Sequence, residues 1–173
     1  LIAEGALDNV AMIFGGHIDR HYPCGAIVVT EGAVNASSDK FSIEISGQGG
    51  HAARPHEAVD AVVVGSLLVI SLQTIVSREI NPAHPSVVSI GRFDAGTAGN
   101  VIAGHALLEG SIRAQHPEVR HALHTSIRRI ADSVAQLHDA RIEVEIREGP
   151  PPLINSDEMT ALARKAALQT VRD

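Results

Sequence analysis

The chain has 173 residues, of which 45% are hydrophobic and 20% charged, enough for one well-packed core plus pieces of another but not for two full domains. A formal charge of −6 argues against a nucleic-acid binder, which needs clustered Lys and Arg to displace counterions, so the expected partner is a small molecule or another protein. One cysteine, Cys24, excludes an intramolecular disulfide framework, and with no signal-peptide pattern a cytoplasmic location is expected.

The longest apolar stretch, around Ala61 to Ile70, is interrupted by Gly65 and Ser66, so no membrane span is expected. Ten histidines stand against three Phe, one Tyr and no Trp; the chemistry to look for is that of imidazole. The first residue is Leu1 rather than Met, from which the chain is expected to be a piece of a longer one.

Val10 to Phe14 is a short apolar run ending at Gly15-Gly16, read as a buried strand that delivers His17 into a loop. Ala26 to Thr30 reads as a second short strand, and the polar stretch Asn35 to Lys40 marks a boundary. Phe41, Ile43 and Ile45 then alternate with Ser42, Glu44 and Ser46, the period-two signature of a half-buried strand. Past a loop holding His51, Arg54, Pro55 and His56, a helix is predicted from about Glu57 to Arg78, with Val59, Val62, Val63, Leu67, Ile70 and Thr74 as its stripe. Its middle is apolar on nearly all sides.

Ser86 to Phe93 and His105 to Ala114, the latter with Leu107 and Ile112 inside, are predicted as an antiparallel pair around the Gly-rich loop Gly96 to Gly104. Pro117 opens a second helix whose stripe is Val119, Leu123, Ile127, Ile130, Val134 and Leu137. Arg141 to Arg147 alternates Ile142, Val144 and Ile146 with charges as a fourth strand, and Ser156 is placed to cap a last helix, Glu158 to Val171.

The order between Lys40 and Glu148 is therefore strand, helix, strand, strand, helix, strand. That is an α+β, ferredoxin-like βαββαβ unit: a four-stranded antiparallel sheet with two helices on one face. Residues 37–148 are assigned to it. Residues 1–36 and 149–173 bury too little to close a core and read as fragments of an α/β domain into which the first is inserted.

Three clusters can carry chemistry. His17 follows a strand end, where neutral imidazole can bind a metal or simply stand as a polar residue at a domain surface. Gly47 to His56 places His51, Arg54 and His56 on a glycine-rich loop ahead of a helix, able to bind an anion or donate to an oxyanion, and equally able to be a flexible, solvated turn. Gly96 to Ile102 offers Asn100 as a donor, and Arg113 on the next strand can clamp a carboxylate, though a plain hairpin loop explains the same residues.

Five ordered blocks carry a resemblance. They are Phe14 to Ile18 (FGGHI), Ser46 to His56 (SGQGGHAARPH), Val59 to Ala61 (VDA), Leu72 to Arg78 (LQTIVSR) and Ala95 to Ile102 (AGTAGNVI). Together they resemble the metallopeptidase family of aminoacylases and related carboxypeptidases. The similarity is to the branch with hippurate hydrolases, N-acyl-amino-acid amidohydrolases and auxin-conjugate hydrolases, and it covers practically the whole chain.

The resemblance implies a catalytic domain that binds two divalent ions, zinc or manganese, with a glutamate as general base for a water attacking an amide carbonyl. It also implies a ferredoxin-like lid that forms a homodimer and reaches the partner's site. On this likeness His17 stands at a metal-ligand position and His51 at an oxyanion-stabilising one acting in the neighbouring subunit's site. Asn100 and Arg113 stand at substrate-binding positions, the arginine at the carboxylate; no role attaches to His56.

The family's Cys-x-His ligand pair, its paired glutamates and its late histidine ligand have no counterpart here, and Ala103 replaces the proline usual after Asn-Val-Ile. With one ligand the chain is expected to hold no metal stably and to be inactive alone. The leading expectation is thus a fragment of a metal-dependent amidohydrolase of N-acyl amino acids. The alternative is a non-catalytic dimerisation module on a degenerate scaffold; an RNA-binding ferredoxin-like domain would need sheet aromatics and positive charge, which are lacking.

Overall fold

A computed structural model describes residues 2–170. The chain divides into two compact units, residues 33–153 and residues 2–32 with 154–170. The first crossing between them falls in strand β1 (Gly32–Asn35).

In the larger unit, strand β2 (Asp39–Ser46) buries Phe41, Ile43 and Ile45 and turns Lys40, Glu44 and Ser46 outward, as alternation requires. A short strand β3 (Gly50–His51) and a 3-10 turn (Pro55–Glu57) lead to helix α1 (Ala61–Thr74), which ends in a π-type turn, Ile75–Glu79. Strands β4 (Ser86–Ala95), β5 (Val101–Ile102) and β6 (His105–Ala114), helix α2 (Pro117–His138) and strand β7 (Arg141–Arg147) follow. The sheet order is β4-β6-β2-β7 with every pair antiparallel. Helix α1 packs over β4, β6 and β2, and α2 over β6 and β7, on the face that carries Ile43, Ile45, Ala106, Leu108 and Ile112. This is the ferredoxin-like α+β unit read from the sequence.

Several local readings are corrected. Helix α1 begins at Asp60, whose carboxylate accepts from the N–H groups of Val62 and Val63 at 2.8 and 3.4 Å, an N-cap; Pro55 opens only the 3-10 turn before it. The buried stripe is Ala61, Val64, Leu68, Leu72 and Ile75, while Val62, Val63 and Ile70 of the predicted stripe are 40%, 53% and 66% exposed. A helix apolar all round has no preferred face by periodicity, so neighbours must choose it. Gly65 does not interrupt α1: a Cβ there would lie 2.6 Å from the Phe93 ring, so its absence lets the helix approach β4. By length and composition Ala61–Glu79 is apolar enough to cross a membrane; here its inner face lies in the core and its outer face is exposed.

On β6 the core residues are Ala106, Leu108, Ile112 and Ala114, not Leu107, which is only partly buried and pairs with outward-facing Glu44. On α2 the predicted stripe is buried from Val119 to Val134, but Leu137 is 71% exposed.

The outer face of the sheet is charged. Arg92 holds Asp94 and Glu109 there at 2.6 and 2.8 Å. The core face is locked at one end by a buried clasp. Asp39, whose side chain is fully buried, accepts two hydrogen bonds from Arg120 (2.8 and 2.5 Å), one from the Gly149 N–H (3.0 Å) and one from His124 Nε2 (2.8 Å). Burial pushes this carboxyl up, but the hydrogen bonds from Arg120, Gly149 and His124 outweigh it and hold Asp39 below the usual carboxylate range.

Strand β8 (Leu153–Asn155) marks the second crossing. In the smaller unit Ser156 precedes helix α3 (Asp157–Thr170) and its hydroxyl accepts from the Met159 N–H at 3.4 Å; Val171, the predicted last residue of that helix, lies outside the described residues. The predicted strands Val10 to Phe14 and Ala26 to Thr30 are not strands. Val10, Met12, Ile13 and Phe14 are 45–66% exposed, and a strand exists only when a second strand takes up its N–H and C=O groups; among the described residues no strand pairs with either run, whose backbone bonds are local turns such as Val10 N–H to the Leu7 carbonyl and a side-chain bond from Asn155 to the Thr30 carbonyl.

Candidate functional site at the tip of the larger unit

The sheet has two ends. At one, β2 stops at Ser46 opposite His105, and the loops on either side continue outward as a second, smaller layer. Gly50 pairs with Ile102 and His51 with Val101, and the Ala52 N–H donates to the Asn100 carbonyl at 3.3 Å. The pairing of β3 with β5 therefore sets His51 beside Asn100, although 49 positions separate them in the sequence. Both side chains are exposed.

The backbone beneath them is tightly fitted. Gly47 donates to the Gly104 carbonyl at 2.9 Å, Gln48 and Val59 exchange both backbone hydrogen bonds (3.0 and 2.9 Å), and Ala61 donates to the Ala103 carbonyl at 2.9 Å. A Cβ on Gly104 would lie 2.7 Å from the Gly49 nitrogen, so the two loops approach more closely than any side chain permits. The Gln48 amide also donates to the Glu57 carbonyl at 3.2 Å, closing the base of the His51 loop. Between this loop and the Gly96 loop lies an open depression lined by Ala52, Pro55, Asp60, Thr97 and Val101.

The His51 ring is itself anchored: the Ala53 N–H donates to its Nδ1 at 3.0 Å. Arg54 and His56, on the same loop, are exposed and lie 3.9 and 3.6 Å from Glu57.

Arg113 is elsewhere. It stands exposed on the outer face of β6 opposite Val87, eight residues along the strand from His105, or roughly 26 Å at about 3.3 Å per residue. It lies at the end where the chain enters and leaves the unit, since its neighbour Ala114 bonds Ser37 at 2.8 Å. The structure thus joins His51 to Asn100 and keeps Arg113 apart from both.

His17 belongs to the smaller unit and is exposed. Nearby, Asp19 accepts from the His21 N–H at 2.9 Å and contacts its ring at 2.7 Å; these bonds, backbone first, lower the Asp19 carboxyl. Among the described residues no three His, Cys, Asp or Glu are grouped so as to hold a metal ion. The residues present therefore do not fit a dinuclear centre.

Sequence reading missed the Asp39–Arg120–His124 clasp and the Ala53 contact. The i, i+4 spacing of Arg120 and His124 was visible, but nothing in the sequence pointed both at Asp39.

Residues 35–139 match the family model described as the peptidase dimerisation domain of the M20 peptidases. The chain belongs to this family. It is 41% identical over 165 residues to N-acetyldiaminopimelate deacetylase of Lactiplantibacillus plantarum, covering 93% of this chain and 43% of that protein. It is 33% identical over 167 residues to N-acetyl-L-cysteine deacetylase of Bacillus subtilis, covering 96% and 40%. The solved structure of the Bacillus subtilis YXEP protein, described as a dinuclear metal-binding peptidase of the M20 family, superposes with a TM-score of 0.78 at 31% identity over 98% of this chain and 42% of that one. The chain spans about two fifths of the length of the curated relatives it matches.

Proposed function

We propose that this chain is the lid-bearing part of a metal-dependent amidohydrolase that removes the acyl group from N-acyl amino acids, and that it works as a homodimer. The observation that carries the reading is the β3–β5 tip, where His51 pairs with Val101 and the Ala52 N–H binds the Asn100 carbonyl, so that two exposed polar residues stand on neighbouring backbone fitted by glycines. Polar groups presented on a rigid backbone suit donation to an amide carbonyl as it becomes an oxyanion. The relatives named as deacetylases support the reaction class. His17 is proposed as this chain's contribution to the metal centre, the remaining ligands lying outside this sequence.

The separation of Arg113 from His51 supports a site shared between two chains. The carboxylate and the amide of one N-acyl amino acid are a few ångströms apart, so a single chain cannot offer Arg113 to one and His51 to the other. A two-fold pair of chains can: each site takes His51 and Asn100 from one protomer and Arg113 from the other. The flank formed by α1 and edge strand β4 suits such pairing, with Val62, Val63, Ile70 and Val87 all 40–66% exposed. The other edge, β7, places Arg141, Glu143, Glu145 and Arg147 outward, charges that discourage edge pairing.

The test is complementation in the full-length protein. His51→Gln and Arg113→Ala are each expected to lose hydrolysis of an N-acyl amino acid. Mixed under exchange, half of the dimers are hybrids, each with one intact site, and about one quarter of wild-type activity returns. No recovery on mixing would show that both groups serve one site from one chain, or that neither serves it.

A further inference from the structure

The three successive N–H groups after His51 go to three different acceptors. Ala52 donates to the Asn100 carbonyl at 3.3 Å, Arg54 to the His51 carbonyl at 2.8 Å, and Ala53, between them, to the His51 ring nitrogen Nδ1 at 3.0 Å. The Arg54 bond closes a four-residue turn. In such a turn the N–H two residues on is free to meet the first side chain, as happens when Asn or Asp occupies that place. Here an imidazole takes that role.

A backbone N–H can only donate, so Nδ1 must accept. In the neutral ring one nitrogen carries the proton and the other the lone pair; with the lone pair at Nδ1, the proton is on Nε2. The reverse tautomer would set Nδ1–H against the Ala53 N–H, two donors 3.0 Å apart, and would turn a lone pair outward from Nε2. The same contact fixes the rotation of the ring, because a linear N–H···N bond is lost when the imidazole turns.

We propose that the Ala53 backbone N–H is a positioning group: it holds His51 with Nε2–H directed outward, ready to donate to the oxygen of the scissile amide. The proposal rests on the oxyanion reading of His51 for its use in the reaction, but not for the state of the ring. A loop braced at Gln48, Val59 and Gly104 and exposed at its crown keeps the donor in place before substrate arrives. The cost of ordering it is then met in folding rather than during reaction.

The test reads the ring directly. In the 173-residue chain labelled with 15N-histidine, the His51 resonances are assigned by their loss in His51→Gln. Two-bond 15N–1H correlations then show which nitrogen is protonated above the titration range. Nε2–H as the dominant form, retained in Ala53→Ser, which keeps the N–H, is the expected result. In Ala53→Pro, which removes it, the reverse tautomer is expected to become populated. Because proline can disturb the turn by itself, the wild-type spectrum carries its own weight. Dominant Nδ1–H, or an even mixture, in the wild type overturns the proposal, as does an unchanged pattern in Ala53→Pro.

In the full-length protein, Ala53→Pro is expected to lower kcat about two- to tenfold while KM holds, the size of one hydrogen bond acting on a donor. A fall confined to KM would overturn the positioning role. If His51→Gln leaves turnover intact while the spectra are as expected, the oxyanion reading fails and the assignment of the ring stands.

Discussion

Replacing Asp39 by Ala tests whether the buried clasp holds the larger unit together. The substitution removes the acceptor of four hydrogen bonds: two from Arg120, one from His124 and one from the Gly149 N–H. Arg120 is 14% exposed and His124 11%, so both donors stay largely cut off from water. Breaking one side of a buried pair costs about 3–5 kcal/mol. Glu148, 3.4 Å from Arg120, can take up part of the charge and pulls the expectation toward the lower figure, about 3 kcal/mol. For a unit of this size that corresponds to a fall in Tm of roughly 10 °C, read by denaturant and thermal unfolding followed by circular dichroism.

The pH dependence gives a second reading of the same group. A carboxyl held below its unfolded value of about 3.9 contributes stability that is fully present above that value and is lost as pH falls through the folded value. Wild-type protein should therefore lose stability below about pH 4 more steeply than Asp39→Asn. The reasoning is refuted if Asp39→Ala costs less than about 1 kcal/mol, or if the two acid limbs are parallel.

The remaining predictions concern the tip, the flank and the centre. Gly104→Ala forces a Cβ to within 2.7 Å of the Gly49 nitrogen and is expected to cost about 1–3 kcal/mol as overpacking and to speed amide exchange in the His51 loop; unchanged exchange would mean the loops part freely. Ile70→Asp, on the exposed face of α1, is expected to convert dimer to monomer in sedimentation, and a dimer of unchanged affinity would move the interface off this flank. Hydrolysis of hippurate and related N-acyl amino acids by the full-length protein is expected to stop after chelation and return with zinc or manganese; turnover that survives chelation would remove the metal from the reaction.

Much of the larger unit was legible because its strands have one wet face and one dry face. Phe41, Ile43 and Ile45 announce β2, and Val119 through Val134 announce α2, since a polar surface on one side makes the period visible. Helix α1 was legible as a helix but not in its orientation: with Val, Leu and Ile on every side, only the positions of β4, β6 and β2 could pick Ala61, Val64 and Leu68 over Val62, Val63 and Ile70. The runs Val10 to Phe14 and Ala26 to Thr30 failed as strands for a related reason. Their apolar content is a property of the chain, but a strand is a property of a pair.

The site divides in the same way. The sequence by itself determined which residues are available: His51, Asn100, Arg113, His17, and the glycines that permit close approach. The motif blocks that resemble the family are local in the chain and legible before any fold is known. Only the tertiary structure decided that β3 pairs with β5 and brings His51 to Asn100, that β6 carries Arg113 to the far end, and that Asp39 lies under Arg120 and His124. Those are contacts across tens of residues, set by the register of strands and the packing of α2. Backbone hydrogen bonding and burial fix them together, and no single segment encodes either.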